Sequence, residues 1–246
     1  MNEAEGPPDS VAPFDVWAGT RLWMLLCNWV PVVHVVLVGL CVWGGERVSW
    51  WLGVLSGFAA LYLLPAVVVR LVLIVWPIEA GKYALDSQAF RTWWLTAQWQ
   101  VLFNRLPFLE ELLRIMPCVY SMWLRLWGAR VSGMVFWSPG TVVLDRPFVS
   151  VGRGSVLGIG TRLHPHLILR VEGDEKTPGD STEVAKLEFW LSPVRIGEQS
   201  LVGGFSLLAP GVDVAPGSVT PAIHALPAFS TWESGRRVRK VRPTVV

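Results

Sequence analysis

Four six-residue units follow one another without a break from Ile196 to Val219: IGEQSL, VGGFSL, LAPGVD and VAPGSV. Each opens on an aliphatic residue (Ile196, Val202, Leu208, Val214). Each has Gly or Ala second (Gly197, Gly203, Ala209, Ala215) and a small or β-branched residue fifth (Ser200, Ser206, Val212, Ser218). Six residues are enough for one short strand and one turn. Three such units close a triangular coil with the aliphatic side chain inside and the small residue at the corner.

An earlier run repeats the pattern with VGRGSV, LGIGTR and LHPHLI, starting at Val151, Leu157 and Leu163. Upstream, VSGMVF and WSPGTV also fit, after which Val143 and Leu144 shift the phase by two residues. This pattern resembles the left-handed parallel β-helix of the hexapeptide-repeat acyltransferases, and implies about four coils over residues 131–220. The run is interrupted between Arg170 and Pro193, where the polar stretch VEGDEKTPGDSTEVAK carries five acidic residues and two lysines; a loop at 171–192 thrown out of a coil is expected. In that family such loops cover the active site of a neighbouring subunit.

The first half of the chain has a different character. From Leu22 to Trp43, and again from Val48 to Val69, 22 residues pass without a formal charge. At 1.5 Å per residue each run reaches about 33 Å, enough for a hydrocarbon core of about 30 Å. Trp23, Trp43, Trp50, Trp51 and Trp76 stand near the ends, where an aromatic belt is expected. The link Gly44–Arg47 is turn-like, so the reading is a transmembrane helical hairpin over 21–78, after an acidic segment at 1–20. Arg70, Lys82, Arg91 and Arg105 follow the second span, against Arg47 in the link. That bias places both termini and the repeat domain on the cytoplasmic side of the inner membrane, as a multi-pass protein. Asn28 and His34 lie within the first span, where a hydrogen bond to the second helix, beside a kink at Pro31, is the expected role.

Residues 79–130 change to a period of 3.6. One apolar stripe is Phe90, Trp93, Trp94, Ala97 and Val101; a second is Leu109, Leu112, Leu113, Met116, Tyr120, Trp123 and Trp127, opposite Glu110, Glu111 and Arg114. Pro107 separates two helices and Pro117 kinks the second. Such Trp-rich amphipathic helices suit the membrane interface. The fold class expected is therefore α + β: a helical hairpin, interfacial helices, a β-helix and a basic C-terminal tail at 221–246. Charged residues are 16% of the chain and the net charge is +2, which excludes a nucleic-acid-binding basic domain. Three cysteines (Cys27, Cys41, Cys118) make no disulfide set and no metal spacing.

Acyl transfer from a thioester needs a base to take the acceptor's proton and donors for the oxyanion. Of four histidines, His34 falls in the apolar run and His224 beyond the last clear hexad. That leaves His164 and His166. The step His164-Pro165 is similar to the His-Pro that carries the catalytic base in maltose and galactoside acetyltransferases, which implies His164 as base and His166 second. Asp145, about one coil earlier, is the expected orienting group, with Glu172 and Glu188 as alternatives. Gly204 and Ser206 are candidate backbone N–H donors to the thioester.

The run GRRVRK contains Arg236, Arg237, Arg239 and Lys240. It suits coenzyme A phosphates, anionic lipid heads or an acidic acyl carrier protein. The stretch with Gln98, Phe103-Asn104, Pro107, Tyr120, Leu124 and Gly128-Ala129 is similar to the lead-in of membrane-associated members of the family. The resemblance implies a homotrimer and no permanently bound cofactor, with coenzyme A or a phosphopantetheine thioester as co-substrate. The chain departs from the family's soluble sugar acetyltransferases in lacking their Asn-rich turns, so the acceptor expected is lipophilic. Two other readings stand beside it: a non-catalytic β-helix scaffold, and a metalloenzyme like the γ-class carbonic anhydrases, which needs three histidine ligands.

Overall fold

The computed structural model describes residues 18–171 and 186–240. It opens with two helical runs long and apolar enough to cross a membrane, Ala18–Glu46 and Trp50–Val75. The first is α1 (Ala18–Cys27) followed by α2 (Val30–Glu46), broken at Asn28–Trp29 beside Pro31. The second is α3 (Trp50–Phe58), a π-helical turn (Ala59–Leu63) and α4 (Leu64–Val75). The π turn has a local cause. The Leu64 N–H reaches back to the Ala59 carbonyl, and the next residue, Pro65, has no N–H to offer Ala60. His34 fills that gap: its Nε2 lies 3.0 Å from the Ala60 oxygen and, as the donor, ties the first run to the second.

Beyond the hairpin lie a strand (Gly81–Ala84), then α5 (Gln88–Arg105), α6 (Phe108–Arg114) and α7 (Val119–Leu126). Ser87 caps α5 by accepting from the Phe90 N–H. Pro117 does more than kink the second helix: the chain breaks there into α6 and α7, with Cys118 left-handed (φ 68°) at the start of α7.

From Arg130 the chain visits three parallel sheets in rotation. The first sheet takes Arg130–Val131, Val149–Val151, Val194–Ile196, Asp213–Val214 and Ser230–Glu233. The second takes Phe136–Trp137, Val156–Leu157 and Leu201–Val202, with a bridge to Val219. The third takes Val142–Val143, Arg162–Leu163, Leu207–Leu208 and Ala225–Leu226. The first-position residues Val151, Leu157, Leu163, Ile196, Val202, Leu208 and Val214 all face the buried interior.

The two-residue phase slip is real and has a structural form. Asp145 is left-handed (φ 45°), and Arg146–Phe148 make a 3₁₀ turn that absorbs the extra residues before Val149. Parallel pairing also runs past residue 220, with buried Thr220, Leu226 and Trp232 keeping the six-residue period. Part of the expected C-terminal tail is thus strand, and Arg236–Lys240 returns antiparallel along Ser230–Glu233. The interruption is likewise more than a loop. His166–Val171 and Lys186–Leu191 form an antiparallel hairpin, and Gly81–Ala84 adds a third strand to it. The middle of the expected loop lies outside the described residues.

Glycine at the second hexad position has a steric cause. A Cβ on Gly158 would stand 2.4 Å from the Gly204 backbone nitrogen on the next rung. Gly158→Ala is therefore expected to cost about 1–3 kcal/mol as the rungs are forced apart. Thermal unfolding in detergent, with Ala209→Gly as a control of the opposite change, checks this.

Candidate active site

Three segments that are far apart in sequence meet at one corner of the repeat stack. The Leu144 N–H bonds to the Leu163 oxygen (3.0 Å), and the parallel register that pairs Val143 with Leu163 brings Asp145 level with Pro165, between the two histidines. After Pro165 the chain leaves the stack into the hairpin, and this carries the His166 ring onto the Asp145 carboxylate. His166 Nδ1 is hydrogen-bonded to Asp145 Oδ2 in a partly buried contact. The other Asp145 oxygen accepts from Trp93 Nε1 of α5 at 2.8 Å. Trp93 also packs at a tilt against His166 (ring centroids 4.6 Å apart) and Phe189 of the hairpin (4.5 Å).

Asp145 is held from both sides. Its left-handed backbone is one that Asp tolerates better than most residues. The next side chain, Arg146, is 1% exposed and anchors the turn. Arg146 Nε donates to Glu110 (3.0 Å), while its terminal nitrogens donate to Gln100 and Asn104 (3.0 Å each). A second, shorter contact joins Arg146 to Glu110, which also accepts from Tyr120 (2.6 Å) and Arg114 (2.9 Å). Phe103, Trp123 and Trp127 surround the guanidinium. This buried network bolts α5–α7 to the turn that presents Asp145.

The environment separates the two histidines. Burial alone penalises the His166 imidazolium, but the Asp145 charge and hydrogen bond outweigh it and raise the His166 pKa above 6.5. Burial, then the neighbouring His166, lowers that of His164 despite Asp145. With Nδ1 committed to the carboxylate, His166 Nε2 has no partner among the described residues, and 26% of the side chain is exposed. A carboxylate on one ring nitrogen and an open second nitrogen is the arrangement of an oriented general base. His164 is half-buried and has no side-chain hydrogen bond among the described residues; its N–H donates to Leu208.

The other sequence candidates fall elsewhere. Glu188 faces Lys82 (3.8 Å) and accepts from Trp190 Nε1 (2.9 Å) rather than meeting a histidine. Glu172 lies outside the described residues. Gly204 and Ser206 sit on the turn between the second and third sheets, and Ser206 spends its hydroxyl on the Pro221 carbonyl (3.0 Å). Arg236 and Arg237 are exposed on the last strand, with Arg239 and Lys240 further along it. His224 packs on Trp232 (5.4 Å), and no group of three or more His, Cys, Asp or Glu gathers among the described residues. In the sequence Trp93 belongs to an apolar stripe, and Phe189 carries no sign of a role. The only local hint of a role for Trp93 was a stripe in which it follows Phe90 by three residues.

No family model matches the chain, and no curated protein does. Similar solved structures include a hexapeptide-repeat-containing acetyltransferase from Vibrio cholerae O1 biovar eltor complexed with acetyl coenzyme A. It is 14% identical with a TM-score of 0.32, over 60% of this chain and 91% of that one. A maltose O-acetyltransferase from Clostridium difficile 630 is 13% identical with a TM-score of 0.22, over 66% of this chain and 94% of that one. An N-acyltransferase from Bacillus cereus, in complex with dTDP and coenzyme A, is 12% identical with a TM-score of 0.24, over 47% of this chain and 68% of that one. At such scores the reading of activity rests on this chain's own residues.

Proposed function

We propose that the chain is an integral-membrane acyltransferase whose three rotating sheets form a left-handed parallel β-helix of hexapeptide repeats. The observation that carries the reading is the Asp145–His166 pair, walled by Trp93, at the corner where the chain leaves the stack. His166 Nε2 takes the proton of a hydroxyl or amine on a lipophilic acceptor. The freed oxygen or nitrogen attacks the carbonyl of a coenzyme A or carrier-protein thioester. The tetrahedral intermediate collapses, the C–S bond breaks, and the thiolate leaves with the proton that His166 held. Asp145 keeps the ring in the tautomer with Nε2 open and stabilises the imidazolium. The geometry favours His166 over His164 as base, because the orienting carboxylate is on His166.

The rest of the reading follows the same frame. Gly204 and Ser206 are assigned as backbone donors to the thioester, and Arg236, Arg237, Arg239 and Lys240 as the basic strand for the donor's phosphates. The two apolar helical runs leave Leu25, Val32, Val36, Leu40, Val54 and Leu71 exposed, a surface suited to lipid and not to water. They anchor the protein in the inner membrane with both termini and the repeat domain cytoplasmic. Phe136, Val156, Leu201 and Val219 stand in register on the outside of the second sheet, flanked by exposed Ile159, Phe205 and Ile223. That apolar face supports a homotrimer. A pure scaffold has no use for a carboxylate–imidazole pair with one ring nitrogen open.

The test is release of free thiol from acyl-coenzyme A, and from acyl carrier protein, by the full-length protein in vesicles of native lipid. Turnover with either donor supports the reading, and none with either overturns it. The pH profile gives a second expectation. A base must be deprotonated, so kcat/KM rises with pH through the raised His166 pKa, above pH 6.5. In Asp145→Asn, burial is left to act alone, and the midpoint moves below 6.5 while the maximum rate falls. A midpoint that stays in place would separate Asp145 from the base.

A further inference from the structure

The contacts of α5 set the level of the histidine corner against the bilayer. A hydrocarbon core of about 30 Å takes about 20 helical residues when the helix stands upright. With the spans across the membrane as proposed, about 20 residues counted inward from Trp43 end at Met24. A tilted span uses more of the run, at most to its start at Ala18. The cytoplasmic edge of the hydrocarbon therefore crosses α1 between Ala18 and Met24.

This stretch of α1 is joined to the start of α5. Arg91 Nε donates to Thr20 Oγ1 (3.1 Å), and Trp23 Nε1 donates to the Arg91 carbonyl (3.1 Å). Met24 packs on the apolar cluster of Leu85, Phe90, Trp93, Phe189 and Leu191. Further along, Trp99 meets His34 (ring centroids 5.6 Å), so α5 follows the first span and its level is fixed at both ends. Trp93 stands two residues after Arg91 and packs directly against the His166 ring. The proposed base is thus one ring contact from the helix that marks the hydrocarbon edge. Leu22, Leu25 and Leu26, beside Met24 on α1, are exposed and offer acyl chains an apolar surface at the same level. The His166 side chain is accessible too, with Nε2 open among the described residues. The headgroup layer outside the hydrocarbon is only roughly 5–8 Å thick.

We infer that the acceptor is a membrane lipid whose hydroxyl or amine lies within the headgroup layer, on its glycerol backbone or on a short head. A nucleophile at the far end of a long head, standing clear of the bilayer, would be carried past His166. The inference rests on the proposed acyl transfer at His166 and adds the depth at which the acceptor presents its nucleophile.

The test uses full-length protein in phosphatidylcholine vesicles. First, the phosphatidylcholine carries a diazirine at either the ester end or the methyl end of one acyl chain. After irradiation and trypsin, the β-hairpin peptide Leu187–Arg195 is expected to take at least tenfold more label from the ester-end probe. The spanning peptide Leu22–Arg47 should take label from both probes. Second, diacylglycerol and its amino analogue are compared with the same anchors carrying the nucleophile beyond a rigid oligoproline spacer, about 19 Å further out. At equal surface density, the spacer is expected to lower kcat/KM at least tenfold.

A β-hairpin peptide left unlabelled, or a spacer acceptor used as well as the short one, overturns this inference. So does a protein that acylates neither short acceptor while it discharges the thioester donor onto native lipid. In each of these cases, discharge onto native lipid leaves the proposed acyl transfer standing. No discharge onto native lipid overturns that function, and a spanning peptide labelled by neither probe overturns the membrane reading.

Discussion

His166→Ala is expected to lower kcat by about 10²–10⁴-fold, the usual contribution of a positioned general base. The thioester's binding should change little, because the base acts on the acceptor. His164→Ala should cost less, since no carboxylate orients that ring, and Asp145→Asn should fall between the two. The acyl-coenzyme A thiol assay with matched particle size checks all three. Near-wild-type turnover in His166→Ala with a large loss in His164→Ala would exchange the two roles.

The largest effect on stability is expected at Arg146. Arg146→Met leaves one oxygen of buried Glu110 without its cation, Arg114 and Tyr120 holding only the other, and strips Gln100 and Asn104 of a donor. Removing one partner of a buried pair costs about 3–5 kcal/mol. For a chain of this length that is a fall of roughly 6–20 °C in the thermal midpoint. Because the same turn presents Asp145, activity at permissive temperature should fall with it. Arg146→Lys keeps the charge and loses the fork, so it should recover part of the stability. An unchanged midpoint in Arg146→Met would show that α5–α7 do not depend on this network.

The repeat stack was legible because one residue in six faces inward, and an aliphatic side chain there leaves a visible period. The period faded after Val214 because Thr220 and Trp232 take the inward place without looking like the earlier units. The hairpin was hidden by its polar connection: Lys186–Leu191 pairs with His166–Val171 across a gap that reads as loop. Asp145 was found through its spacing from His164. Its actual partner, His166, depends on the chain turning out of the stack at Pro165, which spacing alone does not carry. The Arg146 network had no local sign, because Gln100, Asn104 and Glu110 lie 36–46 residues away on helices that reveal only their apolar stripes.

The central claim is that a histidine on this repeat frame moves an acyl group from a thioester onto a membrane-borne acceptor. Its most direct test is the transfer of an isotope-labelled acyl group into the lipid fraction. Wild-type protein is compared with the His164→Ala/His166→Ala double variant, both in native-lipid vesicles and both with wild-type particle size. Label in a new lipid product from wild type, and its loss by a factor of about 10² or more in the double variant, is the predicted result. Equal labelling by the two proteins would contradict the account, as would no labelling by wild type with any thioester donor.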